Sequence, residues 1–386
     1  MKNIYHAAYL ILPIVIFSCK KDFLDVKVTN ILNKQAYVKD LSSLNQYMNG
    51  IYVSLNTHFE AGFGAVYSEL VSDNILPTAI VNQPYLFHYT WSQIAEDKRE
   101  YSGDFASNSK AMNGLWKSYY YLIRQCNFVI ETAPTIRRNN ETKVDFIHGQ
   151  ALALRSLLHF QLLNVFAQPF NYSADASHPG IPYITTSDVT VPFSRQSVMT
   201  VYNSLIEDLN TAIKLLSQST ADSRYMNKAA AEALLSRIYL FKEDYPNAIT
   251  HALEVINRTP LLTIAQGYPD GLFKFNPNEP SETLFQLTPI TDLTTGLVNL
   301  FMGWSLEKSF KATNDIANII TETPEDVRAK WVINQSGSWN IKKFPQGVSG
   351  IHIIPSSDYY PAIIRASETY LTLAEAAAKT GDEKNG

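Results

Sequence analysis

NKAAAEALLSRIYLFKEDYPNAITHALEVINRTP, residues 227–260, decides how this chain folds. Leu234, Leu235, Ile238 and Tyr239 recur at helical spacing and line one face of a helix that begins after Asn227. Asparagine is a good N-cap because its side-chain oxygen accepts from a backbone N–H that the helix leaves unpaired. Asp244 caps a second helix, and Pro246 fits its first turn, where a missing N–H costs nothing. Ala248, Ile249, Ala252, Val255 and Ile256 form the buried stripe of that helix, and Thr259-Pro260 stops it. The stretch is a helical hairpin that cannot bury its apolar face alone and needs neighbours.

Leu235, Tyr239, Ala248 and Pro260 stand at the relative positions used by a tetratricopeptide repeat, with Ala252 and Val255 replacing two of its usual packing residues. Upstream, a helix is predicted near Asp40–Leu55. Trp116, Tyr120, Ile123 and Asn127 share one face of another helix, where tryptophan reads as core. A long helix follows from Val144 to Phe166, ended by Pro169. Ser197 caps a helix whose stripe is Val201, Tyr202, Leu205, Ile206, Leu209, Ile213 and Leu216, with Thr200 where a full capping box has Glu or Gln.

With 386 residues and 46% hydrophobic content the chain buries a large core. A formal charge of −4, with no Lys/Arg run beyond pairs such as Arg137-Arg138, argues against nucleic-acid binding. Aromatic residues make up 12%, which leaves rings for ligand contact as well as core. Residues 1–18 read as an export signal: Lys2, then the apolar run Ala7–Phe17, then Ser18. A small residue before Cys19, followed by Lys20-Lys21-Asp22, resembles a lipoprotein cleavage site that leaves Cys19 as the lipidated first residue. Cys126 is then the one remaining thiol, on an apolar helix and read as a buried small hydrophobe.

Trp116 to Asn127, Gly149 to Phe160, Gly180-Ile181-Pro182, Arg195 to Tyr202 and Asp208-Leu209 occur in the order seen in SusD/RagB-like proteins. The hairpin follows in place, and Glu325 to Arg328, Lys342-Lys343-Phe344 and Arg365 to Ala376 resemble that family's C-terminal half. The resemblance implies a mainly α fold, with tetratricopeptide-like hairpins packed against a loop-rich irregular region with little β. It divides the chain into a signal peptide (1–18), an N-terminal SusD-like region (19–220) and the hairpin with a C-terminal SusD/RagB-like region (221–386). Leu373, Ala374 and Asp382 align with the start of a further repeat whose second helix does not follow, so a C-terminally truncated chain is expected. The implied function is that of a surface-exposed, outer-membrane lipoprotein anchored at Cys19. It captures oligosaccharide and hands it to a TonB-dependent SusC-like transporter, with no cofactor and no covalent step. RagB-like relatives handle peptides, so a peptide ligand is the first alternative.

Residue chemistry favours binding over catalysis. Tyr67 stands where Gly62-Phe63-Gly64 would need a third glycine for dinucleotide binding. His148 and His159 have no acidic or cysteine partner to complete a metal set, so no metal is expected. Glu69 and Asp73, which can face each other across one helical turn, carry the alternative of a glycoside hydrolase, with Glu96, Asp97 and Glu100 a further acidic group. A periplasmic tetratricopeptide scaffold is the other alternative. Asp326 with Arg328, and Arg365 with Glu368, read as structural charge pairs, and Trp331 and Trp339 as packing. Sugar rings pack their C–H faces on aromatic rings while hydroxyls need a few placed polar partners. Trp91 with Tyr85, Tyr89, Asp73 and Asn74 supplies such a cluster, and Trp304 a second wall.

Overall fold

The computed structural model describes residues 37–60, 66–78, 88–91, 112–217, 222–279, 281–288, 310–343 and 360–381. By contacts the chain divides into Met1–Lys39 and Asp40–Gly386, and every element below belongs to the second unit. Its helices are Leu41–Glu60 (α1), Tyr67–Val71 (α2), Met112–Ile136 (α3), Glu141–Phe166 (α4), Val198–Leu215 (α5), Lys228–Phe241 (α6), Tyr245–Ile256 (α7), Asn314–Thr321 (α8) and Ala366–Thr380 (α9). The strands are short: Ile75–Pro77 (β1), Thr283–Gln286 (β2), Phe310–Ala312 (β3), Val332–Gln335 (β4), Ser338–Ile341 (β5) and Ala362–Arg365 (β6). The fold is mainly α with little sheet.

Capping set the helix starts where the sequence placed them. Asn227 accepts from Ala230 N, Asp244 from Asn247 N and Ser197 from Thr200 N, each at the N-terminus of its helix. The helices then pack in series: α1 against α3 and α4, α3 on α4, α4 on α5, α5 on α6, α6 on α7, and α9 on both α6 and α7. Fully buried Ala230, Ala231, Ala248 and Ala252 keep the α6–α7 hairpin close, and the Ser236 hydroxyl donates to the Ala248 carbonyl across it at 2.8 Å. At the α4–α5 contact a Cβ on Gly149 would lie 2.8 Å from Leu216 Cγ, so only glycine allows that approach.

Helix α4 is buried almost all round from Gly149 to Phe160, as expected of a central helix. It nevertheless carries Arg155 and His159 inside. The Arg155 guanidinium donates through Nε and Nη2 to both carboxylate oxygens of Asp208 on α5, at 2.7 and 2.6 Å. Its Nη1 donates to Asn127 Oδ1 on α3 at 2.7 Å, and Asn127 Nδ2 donates to the carbonyls of Ile184 and Thr186. Tyr183 donates its hydroxyl to Asp208 Oδ2 at 2.5 Å and stacks on His159 with centroids 4.0 Å apart. His159 Nε2 accepts from Ile184 N at 3.0 Å, so the proton sits on Nδ1 and is given to the Arg155 carbonyl at 3.0 Å. These bonds satisfy the buried polar groups and strap the extended 180–186 connection across three helices.

The strands form two small sheets. One has the antiparallel order β1-β3-β5-β4, with Ile75 opposite Ala312, Ala312 opposite Trp339 and Val332 opposite Ile341. The other pairs β2 with β6 and lies against α6. Arg365 closes β6 in an extended conformation as the N-cap of α9, so its side chain does not follow helical spacing. The pairing read from sequence is corrected accordingly: Arg365 lies 3.9 Å from Glu282, and Arg237 holds Glu368.

Asp208→Asn leaves the Arg155 guanidinium buried without its counter-charge and is expected to cost roughly 3–5 kcal/mol in urea unfolding; a loss under about 1 kcal/mol would show the pair to be dispensable. Burial, with the Arg155 charge added, pushes His159 down to about 3 from the ordinary 6.5. Between those values the unfolded chain takes up a proton that the folded core excludes, so stability is full above pH 6.5 and declines as pH falls toward 3. The stability gap between wild type and His159→Gln, measured by urea titration, should therefore narrow by roughly 2 kcal/mol from pH 7 to pH 5.

Candidate functional site

Helix α2 is only five residues long and ends at Val71, after which Asp73 takes a left-handed φ of 59°. Aspartate tolerates that conformation better than most side chains. The turn bends the chain into β1 and brings Asn74 back toward the helix: Asn74 N donates to the Glu69 carbonyl at 3.1 Å and Asn74 Nδ2 to Glu69 Oε2 at 2.9 Å. Glu69 and Asp73 thus do not face each other across a continuous helical turn, because the helix has already ended; Asn74 is the residue that meets Glu69. A distant segment pins the same turn. The Thr313 hydroxyl donates to the Asp73 carbonyl at 2.7 Å, Thr313 N donates to the Asn74 carbonyl at 3.1 Å, and Thr313 also caps α8. The Asp73 side chain is left exposed.

Trp91 also takes a left-handed φ, 53°, and is 69% exposed, which is unusual for so large an apolar residue. Its backbone N–H donates to the His88 carbonyl at 3.2 Å, closing a turn over residues 88–91 in which Tyr89 is half-buried. The His88 ring meets the Tyr67 ring edge-on at 5.6 Å, so this turn docks on the first residue of α2. Asp73 and Asn74 follow the other end of that helix, roughly 8 Å away along its axis. The structure therefore brings Asp73, Asn74, Tyr89 and Trp91 around one short helix.

Tyr85 and Trp304 lie outside the described residues, as do Cys19, the 1–18 signal, Gly62-Phe63-Gly64, Glu96, Asp97, Glu100, Phe344 and Asp382. The sequence reading missed Tyr67, His88 and Thr313. The Thr313-Asn314-Asp315 cap pattern was available, but a contact spanning 240 residues has no local trace.

The four-stranded sheet abuts the same neighbourhood. Lys343, just past β5, holds its ammonium 5.4 Å from the Trp331 ring. Burial, then the charge of Arg365, pull its pKa down, and Glu69 on α2 opposes them. Trp331 and Trp339 are half-buried, consistent with packing. Asp326 and Arg328 form the expected pair at 2.6 Å. Cys126 is fully buried and pushed up to about 12 by that burial. Among the described residues no group of three or more His, Cys, Asp or Glu is placed to hold a metal, and no described helix is long and apolar enough to cross a membrane. A cleft of about 430 Å3 beside the end of α7 is lined by Lys228, Glu232, Glu254 and Arg258 among others, but by no aromatic ring, so it offers no platform for sugar stacking.

Comparison with known proteins gives these features a context. A SusD-like family described as starch-binding and associating with the outer membrane matches residues 22–240, more than half of the chain. The SusD-like protein P2 of Formosa agariphila is 23% identical over 259 residues, which cover 66% of this chain and 46% of that protein; the match thus spans about half of the relative's length. A Bacteroides thetaiotaomicron SusD superfamily protein superposes with a TM-score of 0.74 at 25% identity, covering 90% of this chain and 78% of that one. A Bacteroides vulgatus protein gives 0.75 at 23%, covering 90% and 76%. A SusD-like carbohydrate binding protein, also from Bacteroides vulgatus, gives 0.69 at 18%, covering 90% and 73%. With the helical series, the small sheets and the family match in agreement, this chain belongs to the SusD-like family.

Proposed function

We propose that this protein captures oligosaccharide on the surface formed by the 88–91 turn and the Asp73-Asn74 turn, and delivers it to a TonB-dependent SusC-like transporter at the outer membrane. The observation that carries the reading is Trp91: a tryptophan that is 69% exposed, on a backbone at a left-handed φ in a closed turn. A ring this exposed is open to the C–H face of a sugar. The Asp73 carboxylate and the Asn74 amide supply hydroxyl partners near the opposite end of α2. Tyr89, and on residue type alone Tyr85 and Trp304, are proposed as further ligand contacts, and Cys19 as the lipid anchor. Membership of a family described as starch-binding and associating with the outer membrane supports both the ligand class and the location. The Asn74 side chain engages Glu69 in place of Asp73, which removes the facing carboxylate pair that the hydrolase alternative drew on there.

Trp91→Ala is expected to weaken binding of a malto-oligosaccharide about tenfold in calorimetric titration while leaving the unfolding midpoint unchanged. Unchanged affinity, or tighter binding of peptides than of any oligosaccharide in the same titration, would contradict the reading. Thr313→Val removes the hydroxyl that holds the Asp73 carbonyl and caps α8; a loss of roughly 1–2 kcal/mol of stability should come with weaker sugar binding, although Thr313 itself touches no ligand. Stability lost without any change in affinity would show that the turn's geometry is immaterial to capture.

A further inference from the structure

An open groove of about 530 Å3 runs between α3 and the 182–193 connection. Trp116, Tyr120, Tyr121 and Phe193 supply its rings, and Lys117 and Arg124 its charges. The volume is within the range of small-ligand sites. Its rings are held in place. Trp116 contacts Tyr120 at 4.7 Å and Phe166 edge-on at 4.9 Å, with the Arg195 guanidinium 5.8 Å from its centroid. The Tyr120 hydroxyl donates to the Pro182 carbonyl at 2.8 Å, and Asn127 ties the same connection to the Arg155 network. Tyr121, in contrast, is 47% exposed.

The charge lining the groove has one sign. Lys117 is exposed, and its ammonium makes no ion pair or side-chain hydrogen bond among the described residues. Arg124 lies 5.9 Å from the Phe193 centroid and gives Nη1 to the carbonyls of Thr186 and Asp188. Its other guanidinium N–H groups make no hydrogen bond among the described residues, so donors remain for a ligand. No carboxylate lines the groove. Two carboxylates stand beside the groove without lining it: Asp188 accepts from Thr190 N and Thr190 Oγ1 at 2.8 Å each and feels the Arg124 charge, and Glu131 accepts from Ser187 N and Ser187 Oγ, which leaves Lys117, among the described residues, as the groove's uncompensated cation.

We propose that this groove is a second saccharide site, selective for oligosaccharides bearing carboxylate or sulfate groups. Ring C–H faces pack on Tyr121 and Phe193, while Lys117 and Arg124 take the anionic group through charge-assisted hydrogen bonds. A chain of net charge −4 would otherwise repel such a ligand, so a local patch of one sign gives it both attraction and orientation. The site shares no residue with the Trp91 turn and takes a different ligand class.

The test titrates the full chain calorimetrically with an oligogalacturonate, a sulfated carrageenan oligosaccharide and a neutral malto-oligosaccharide of matched length, at low and at high salt. Lys117→Glu and Tyr121→Ala change exposed side chains, and thermal melting checks that both fold. The expected result is that an acidic oligosaccharide binds, weakens with salt, and loses roughly tenfold or more in affinity in each variant. Neutral binding should be unchanged in both variants, and Trp91→Ala should leave acidic binding intact. Which acidic probe binds identifies the anion as carboxylate or sulfate. Failure of both acidic probes to bind, wild-type affinity in both variants, or equal loss of acidic and neutral binding would each overturn the assignment. Loss of acidic binding in Trp91→Ala would also overturn it, by placing both ligands on one site. A failed Trp91 reading with intact groove binding leaves this proposal standing, so the two are separately refutable.

Discussion

The Arg155 guanidinium is the point on which the helical half of this protein depends. It meets Asp208 on α5 with two hydrogen bonds and Asn127 on α3 with a third, and it starts from the centre of α4, a helix buried on every side. Such a charge is tolerable in the interior only because its neighbours are complete. Asn127 in turn holds two carbonyls of the 180–186 connection, and Tyr183 adds a ring and a hydroxyl, while Gly180 and Ile181 exchange backbone hydrogen bonds with Gln196, so side chains and a short backbone pairing together place this segment. The family-like segments at 116–127, 149–160, 180–182 and 208–209 meet here. They position the scaffold, and none of them belongs to the proposed oligosaccharide face around Trp91; residues 116–124 and Pro182 also line the groove beside the 182–193 connection.

That face is built differently. Around α2 the chain twice adopts left-handed backbone at non-glycine residues, Asp73 and Trp91, and in each case hydrogen bonds close the turn. The scaffold is held by burial, and the turns by local bonds together with one long-range clamp at Thr313. A rigid helical series beside short, exposed turns suits a protein that presents a ligand surface without reorganising its core.

Legibility in the sequence followed the range of the interaction. The caps at Asn227, Asp244 and Ser197 and the stripes behind them were readable because each is settled within a few residues, and the structure places all three. Glu69 and Asp73 were misread as helical neighbours because nothing local says that α2 stops after five residues. Arg365 and Glu368 were misread for a related reason: pairing with β2 extends Arg365, and helical spacing begins only after it. The Arg155 cluster joins residues 28 and 53 positions apart, and a single sequence does not show that His159 lies under Tyr183. Trp91 could be named as a candidate from its residue type, but its exposure became visible only in the structure.

The most direct test of this division of labour is hydrogen exchange of the full chain, with and without a saturating neutral malto-oligosaccharide. The account predicts slowed exchange on binding at residues 67–78, 88–91 and 310–316, with the already protected amides of 149–160 unchanged. Protection confined to the α6–α7 hairpin, with none around α2, would contradict it and return the protein to the reading of a repeat scaffold.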